Sequence, residues 1–161
     1  MGRVFFNTRS NTHELTTGTY QCLASDSNKS FMLNTTGILA ITLPADADIE
    51  IGWNARFLMV TDAAATAITI KASAPDAQNF IGGVVNMMTV ASAASAFGSY
   101  ITSAIGDTNS QIALDHDLTN NEASVGTDIT IVKTAANTFF VSGVVATSDA
   151  NGTGGAIFSN I

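Results

Sequence analysis

Charged side chains are scarce in this sequence, at 12% of its residues against a usual share of roughly 25%. Basic residues are scarcest: Arg3, Arg9, Lys29, Arg56, Lys71 and Lys133 are scattered along the chain, and the net charge is −7. Nucleic-acid affinity comes from Lys and Arg neutralising phosphates, so a nucleic-acid-binding surface is excluded. Attachment to anionic membrane is disfavoured for the same reason. A single cysteine, Cys22, rules out a disulfide within the chain and a cysteine-based metal site. No run approaches the roughly 20 apolar residues of a membrane-spanning helix. The opening residues MGRVFFNTRSNTHEL lack the continuous apolar stretch and small-residue cleavage site of a signal peptide. The expected product is made in a cytoplasm and released, if at all, by another route.

What fills the chain instead is Ala, Thr, Ser, Asn and Gly beside a 46% hydrophobic share. A disordered chain is poor in apolar residues and rich in charge, and this one is neither. Its 161 residues suit one domain, which at this size buries roughly 70% of its extended surface. Thr and other β-branched residues sit well on a pleated sheet. A weakly charged surface suits contact with other protein, where charged residues are depleted.

The period along the chain is two. Residues 1–17 are mostly polar, with a short apolar run at Val4, Phe5 and Phe6, and read as an extended arm, with residues 18–161 as a single domain. Alternation then places Tyr20, Cys22 and Ala24 on one face, followed by Phe31 with Leu33, and by Leu39, Ile41 and Leu43 up to Pro44. RFLMVTD sets Phe57 and Met59 against Leu58 and Val60, and ITIKA turns Ile68 and Ile70 inward. The small-residue link between these two runs predicts a hairpin. A loop with a short strand near 80–85 follows. Residues 89–105 carry both a helical spacing (Val90, Ala94, Phe97, Ile101) and helix-weakening Gly98, Ser and Thr, which leaves helix and strand open. Further strands fall at NSQIAL, at TDITIVK with Ile129 and Ile131 inward, and at NTFFVSG after a turn at Ala136 and Asn137. Seven to nine short strands with regular turns and no βαβ alternation predict an all-β fold. The expected form is an antiparallel β-sandwich or jelly-roll-like barrel with the N-terminal arm extended.

Candidate sites are few. Asp46, Asp48 and Glu50, spaced by two before Trp53 and Arg56, suggest either a site or an acidic corner between strands. Glycosidase carboxylates face one another across a cleft, so three on one short loop read as a solvated connection. Trp53 and Arg56 fit a sugar platform less well than a Trp packed at a strand start with Arg56 reaching a carboxylate. Asp115, His116 and Asp117 are consecutive, and His13 is a distant histidine. Neighbours on extended chain point to opposite faces, and no calcium-loop pattern is present, so a polar loop is expected there. Cys22 lies in an alternating strand, where a free cysteine behaves as a small hydrophobe. Neither a nucleophile elbow nor a nucleotide-binding glycine motif occurs. No catalytic, cofactor or metal residues are expected.

The succession GTYQCLASDSNKSFMLNTTGILAITLP, Gly52, FLMVTDAAATAITIKA, FIGG and TDITIVKTAANTFFVSG resembles β-rich virion proteins of tailed bacteriophages, the head decoration (cement) and fibre-like proteins. The resemblance spans roughly residues 18–145 and rests on a pattern of strands and turns. Where such a segment often carries Trp before V-S-G, Phe139 and Phe140 stand here. The resemblance implies a non-enzymatic protein of the capsid surface, made in the host cytoplasm. Its implied partners are the major capsid protein and copies of itself, often as a trimer. Contacts would come from the arm (Arg3, Val4, Phe5, Phe6, Arg9) and the apolar C-terminal end (Ile157, Phe158, Ile161). The alternative is a tail-fibre or receptor-binding module for host glycan, using Trp53, Tyr100 or Tyr20. An enzyme would need two carboxylates facing a cleft, and the sequence offers no such pair.

Overall fold

Strict alternation of apolar and small polar residues gives each segment one face to bury, and the chain meets that need by stacking two sheets face to face. The computed structural model describes residues 11–35, 37–61, 68–74, 77–88, 97–102, 109–114, 116–117, 121–147 and 157–159. Its strands are β1 (Thr12–Leu15), β2 (Gly18–Gln21), β3 (Lys29–Leu33), β4 (Leu39–Thr42), β5 (Asn54–Met59), β6 (Ile68–Lys71) and β7 (Asn79–Met88). They continue with β8 (Phe97–Thr102), β9 (Gln111–Leu114), β10 (His116–Asp117), β11 (Asn121–Glu122), β12 (Asp128–Ala135), β13 (Thr138–Thr147) and β14 (Ile157–Ser159). A seven-stranded sheet runs β1-β3-β5-β12-β13-β7-β8 and a five-stranded sheet runs β14-β9-β6-β4-β2, with β10-β11 as a separate small ladder.

The all-β sandwich expected from the period of two is what the structure shows. Its pairings are mixed rather than antiparallel throughout. From β1 to β6 consecutive strands alternate between the sheets, so that β1, β3 and β5 stack parallel in one and β2, β4 and β6 stack parallel in the other. Each pair β1/β2, β3/β4 and β5/β6 is one rung of a short stack. The hairpin expected between RFLMVTD and ITIKA is therefore corrected, because β5 and β6 belong to different sheets. Both runs carry an inward set, and crossing the sandwich buries both. The hairpin at Asn137 forms as expected between β12 and β13, with Asn137 at φ 54° in the turn. In the open segment 89–105, residues 97–102 form strand β8. Residues 12–15, assigned to the arm, form strand β1 at the sheet edge with Leu15 buried, and residues 1–10 lie outside the described residues.

The inward sets pack as expected: Phe31, Leu33, Leu39, Ile41, Leu43, Phe57, Met59, Ile68, Ile70, Ile129 and Ile131 are all buried. An aromatic file runs up the stack. Phe57 and Phe31 lie in register and stack at 5.3 Å, and Phe31 meets Tyr20 at 5.4 Å and His13 at 5.9 Å. Two glycines allow close strand approach. Gly82 (φ 95°) and Gly143 (φ 151°) adopt conformations that side chains rarely take, and a Cβ would collide with the Val141 carbonyl at the first and the Asp128 carbonyl at the second.

Candidate functional site

The acidic segment after Pro44 is a corner with a cation locked inside it. Asp46–Asp48 is a single 3-10 turn, and a tight turn at Glu50–Trp53 follows, closed by the Trp53 N–H to Glu50 carbonyl bond at 3.1 Å with Gly52 at φ 97°. Lys133 on β12 occupies an inward position and is 4% exposed. Its ammonium donates to the Asp46 carbonyl at 2.7 Å and the Ile49 carbonyl at 2.8 Å, and pairs with Asp46 Oδ1 at 2.8 Å. Three N–H bonds meet three acceptors, so this lysine has no donor left for a ligand. Asp46 also accepts from the Asn137 N–H at 2.9 Å. The Lys133 hydrogen bond, more than burial opposes it, holds the Asp46 carboxyl below the usual carboxylate range.

Trp53 is 5% exposed and sits directly before β5, packed as a strand-start residue rather than presented as a platform. Its indole Nε1 is buried and has no hydrogen-bond partner among the described residues. Arg56 reaches a carboxylate across the sheet, donating from Nε to Asp128 Oδ1 at 2.8 Å and from Nη2 to Oδ2. Beside Trp53 lies an open notch of about 390 Å³ lined by Ala24, Ser27, Ile49, Ile51 and the carboxylates Asp48 and Glu50. Neither carboxylate forms an ion pair among the described residues. The two acids sit on one short segment, which gives a solvated acidic lip rather than an acid/base pair facing across a cleft.

A second notch, about 470 Å³, adjoins Cys22, Leu23, Pro44 and Ser73. The Cys22 thiol is buried, and burial together with the Asp26 charge pushes it up to about 12, which removes it as a nucleophile near neutral pH. Asp26 is 2% exposed. Burial opposes its charge, but Lys29 Nζ at 2.7 Å, the Leu23 N–H at 2.8 Å and the Tyr20 hydroxyl at 3.0 Å outweigh burial and hold it below the usual carboxylate range. Burial and the same aspartate push the Tyr20 phenol up to about 12. These groups close the 3-10 turn Ala24–Asp26 onto β2 and β3; they are structural.

Of the other candidates, His116 and Asp117 lie in β10, while Asp115 falls outside the described residues. His13 sits in β1, with its ring against Tyr20 and Phe31. Among the described residues no group of three or more His, Cys, Asp or Glu could hold a metal ion. No helix among them is long and apolar enough to cross a membrane. Arg3, Val4, Phe5, Phe6, Arg9 and Ile161 lie outside the described residues. Ile157 and Phe158 form edge strand β14, with Phe158 half-buried against the protein's own core.

Sequence reasoning missed two features. Lys133 follows Ile129 and Ile131 at the same parity, a signal that this lysine is buried and partnered. The apolar outer face of the seven-stranded sheet was also missed: Ile81, Val85 and Met87 on β7 are exposed, as is Phe140 beside Ile81 on β13. No protein-family model matches this chain, and neither a curated protein nor a solved structure matches it.

Proposed function

We propose that this chain is a structural virion protein of a tailed phage, a capsid decoration or cement protein that self-associates and clamps neighbouring subunits on the outer surface of the head. The observation that carries this reading is the apolar outer stripe. Phe140 faces Ile81, Val144 faces Val85 and Ala146 faces Met87 across one strand pair, and Met87 is 49% exposed. Exposed apolar surface of this kind, interrupted on this face by the Ser142–Gly83 pair, marks protein contact sites on soluble domains. The depletion of charge along the chain fits the same use. The well-placed ionisable groups support it too, since Lys133, Asp46, Asp26 and Arg56 are all engaged within the protein. The arm and the C-terminal end remain candidate contact segments alongside the stripe.

The test is co-sedimentation of purified chain with heads that lack it. Binding that saturates at a fixed ratio to capsid protein, and weakens at least tenfold in Phe140→Asp and Val85→Asp, is expected. Heads that pellet without the chain would sink the reading. A second reading, a tail-fibre or receptor-binding module for host glycan, is favoured by the notch beside Trp53, where Asp48 and Glu50 offer acceptors to sugar hydroxyls. The buried Trp53 offers no stacking face to a sugar ring. A glycan array that stays blank at high protein concentration would remove this alternative.

A further inference from the structure

Among the described residues the stack of rungs ends at its first rung. β1 and β2 form its first rung and are edge strands of the two sheets, and among the described residues nothing pairs with their outer sides. His13 is in register with Phe31, which is in register with Phe57, and both phenylalanines are fully buried on the inner face. His13 nevertheless is exposed, and no further strand among the described residues covers its position. Tyr20, its counterpart on β2, is half-buried with its ring 5.2 Å from that of His13. The aromatic file therefore stops with two rings facing one another at an open end.

The residues that usually blunt an edge are missing from these two strands. THEL and GTYQ contain no lysine and no proline, and Glu14 is their one acidic residue. Glu14 accepts a hydrogen bond from the Asn34 side-chain amide. The direction of the peptide groups is fixed by the inner partners. The Asn11 and Leu15 carbonyls accept from the Ser30 and Asn34 N–H groups, so odd-numbered peptide groups of β1 face β3, and those of Thr12 and Glu14 face outward. On β2 the Gly18 and Cys22 N–H groups donate to the Ile38 and Thr42 carbonyls, so those of Thr19 and Gln21 face outward.

We propose that this open end is the docking site for a second copy of the chain, related by a twofold axis that passes midway between the two copies of His13 and between the two copies of Tyr20. A twofold axis normal to the sheets reverses strand direction and keeps each inner face inward. It sets β1 antiparallel to the second β1, with His13 opposite His13, and Thr12 and Glu14 exchanging N–H to carbonyl bonds. On β2 the same operation sets Tyr20 opposite Tyr20, and Thr19 and Gln21 exchange bonds. Both pairings follow the antiparallel rule that the directly bonded residues are those whose peptide groups point outward. One axis satisfies both edges because the rings of His13 and Tyr20 face each other across the sandwich. Moving the second copy two residues along β1 in one direction puts Glu14 opposite Glu14, where like charges repel, and in the other direction puts Thr12 opposite Thr12 and takes the axis away from His13 and Tyr20. Docking thereby continues both sheets and joins two aromatic files into one. A lone peptide strand would cover only one of the two edges, which is why the occupant is a second copy.

This proposal deepens the structural reading above and fails separately from it, since head binding tests that reading and the mass of the isolated chain tests this one. The full chain, 16.6 kDa, is followed by sedimentation equilibrium over a range of concentrations. A reversible dimer is expected. His13→Glu, which sets two carboxylates across the axis, and Thr12→Pro, which removes an outward N–H where an edge strand tolerates it, should each weaken it at least tenfold with the circular dichroism unchanged. His13→Cys supplies an independent arm that does not depend on losing association. Opposed residues at a non-hydrogen-bonded antiparallel position have Cα atoms about 4.5 Å apart, within disulfide reach. The two thiols introduced by His13→Cys should therefore give a covalent dimer when diamide is added as oxidant, whereas Thr12→Cys, whose opposite number is Glu14, should not. A monomer at every concentration, a trimer, or a dimer indifferent to all these substitutions would overturn the proposal. A trimer does so because copies around a threefold axis cannot pair one edge with itself.

Discussion

Replacing Lys133 by methionine tests whether the acidic corner is a structural clamp. Methionine keeps most of the side-chain stem, so the change falls mainly on the ammonium. That group holds the Asp46 and Ile49 carbonyls at 2.7 and 2.8 Å, and without it the carbonyl of Ile49, a residue only 8% exposed, loses its charged donor. Hydrogen bonds to charged groups contribute roughly 1.5–3 kcal/mol each. Two at the lower end give about 3 kcal/mol, the lower end being right because the ammonium no longer has to be desolvated. The contact with the Asp46 carboxylate adds little, because its side chain is 23% exposed and rehydrates. We expect Lys133→Met to lose about 3 kcal/mol, seen in urea as a lower midpoint with an unchanged slope. Asp46→Asn should lose about 1 kcal/mol or less. A Lys133→Met protein that is as stable as the parent, or more so, would refute the clamp. It would place Lys133 among the buried charges that a hydrophobe replaces without loss.

Other outcomes follow from the same geometry. Asp46 and Asp26 titrate below their unfolded value of roughly 3.9, so their contribution is complete above that value and is lost as pH falls through the folded values. Urea midpoints should therefore hold from neutral pH to about 5 and fall below about 4, and a flat profile down to about pH 2 would contradict the assignment. Gly143→Ala forces a side chain against the Asp128 carbonyl in a conformation that disfavours it, and should cost at least about 2 kcal/mol by thermal or urea unfolding. Cys22, buried and shifted to about 12, should not react with a disulfide reagent near pH 8 until the protein is denatured. Rapid labelling of the native protein would show that the second notch opens onto it.

The strands were legible because burial on one face imposes a period of two whatever the partner. Leu39, Ile41 and Leu43, then Ile68 and Ile70, then Ile129 and Ile131 could be assigned inward from parity alone. The partners were not legible. A link of small residues such as 62–67 reads the same whether the chain returns beside itself or crosses to the opposite sheet, so the switch between β5 and β6 and the parallel stacking it produces had no local signal. The corner at 46–53 was legible as a connection between strands, ended by Pro44 and capped by a packed Trp53. Its internal tie to Lys133 was hidden because that residue is 84 positions from Ile49, although its parity pointed inward. His13 is a distant histidine in the sequence for the same reason: its place at the end of the aromatic file depends on the register of β1 with β3, which only the fold supplies.

The claim that this chain works through contact surfaces in a phage head is tested most directly by counting it. Quantitative mass spectrometry of purified virions gives copies of this chain per major capsid protein. The account predicts near-stoichiometric abundance relative to the capsid subunit. A low copy number, typical of a tail appendage, would move the assignment to a fibre or adhesin, and complete absence from the particle would contradict the account.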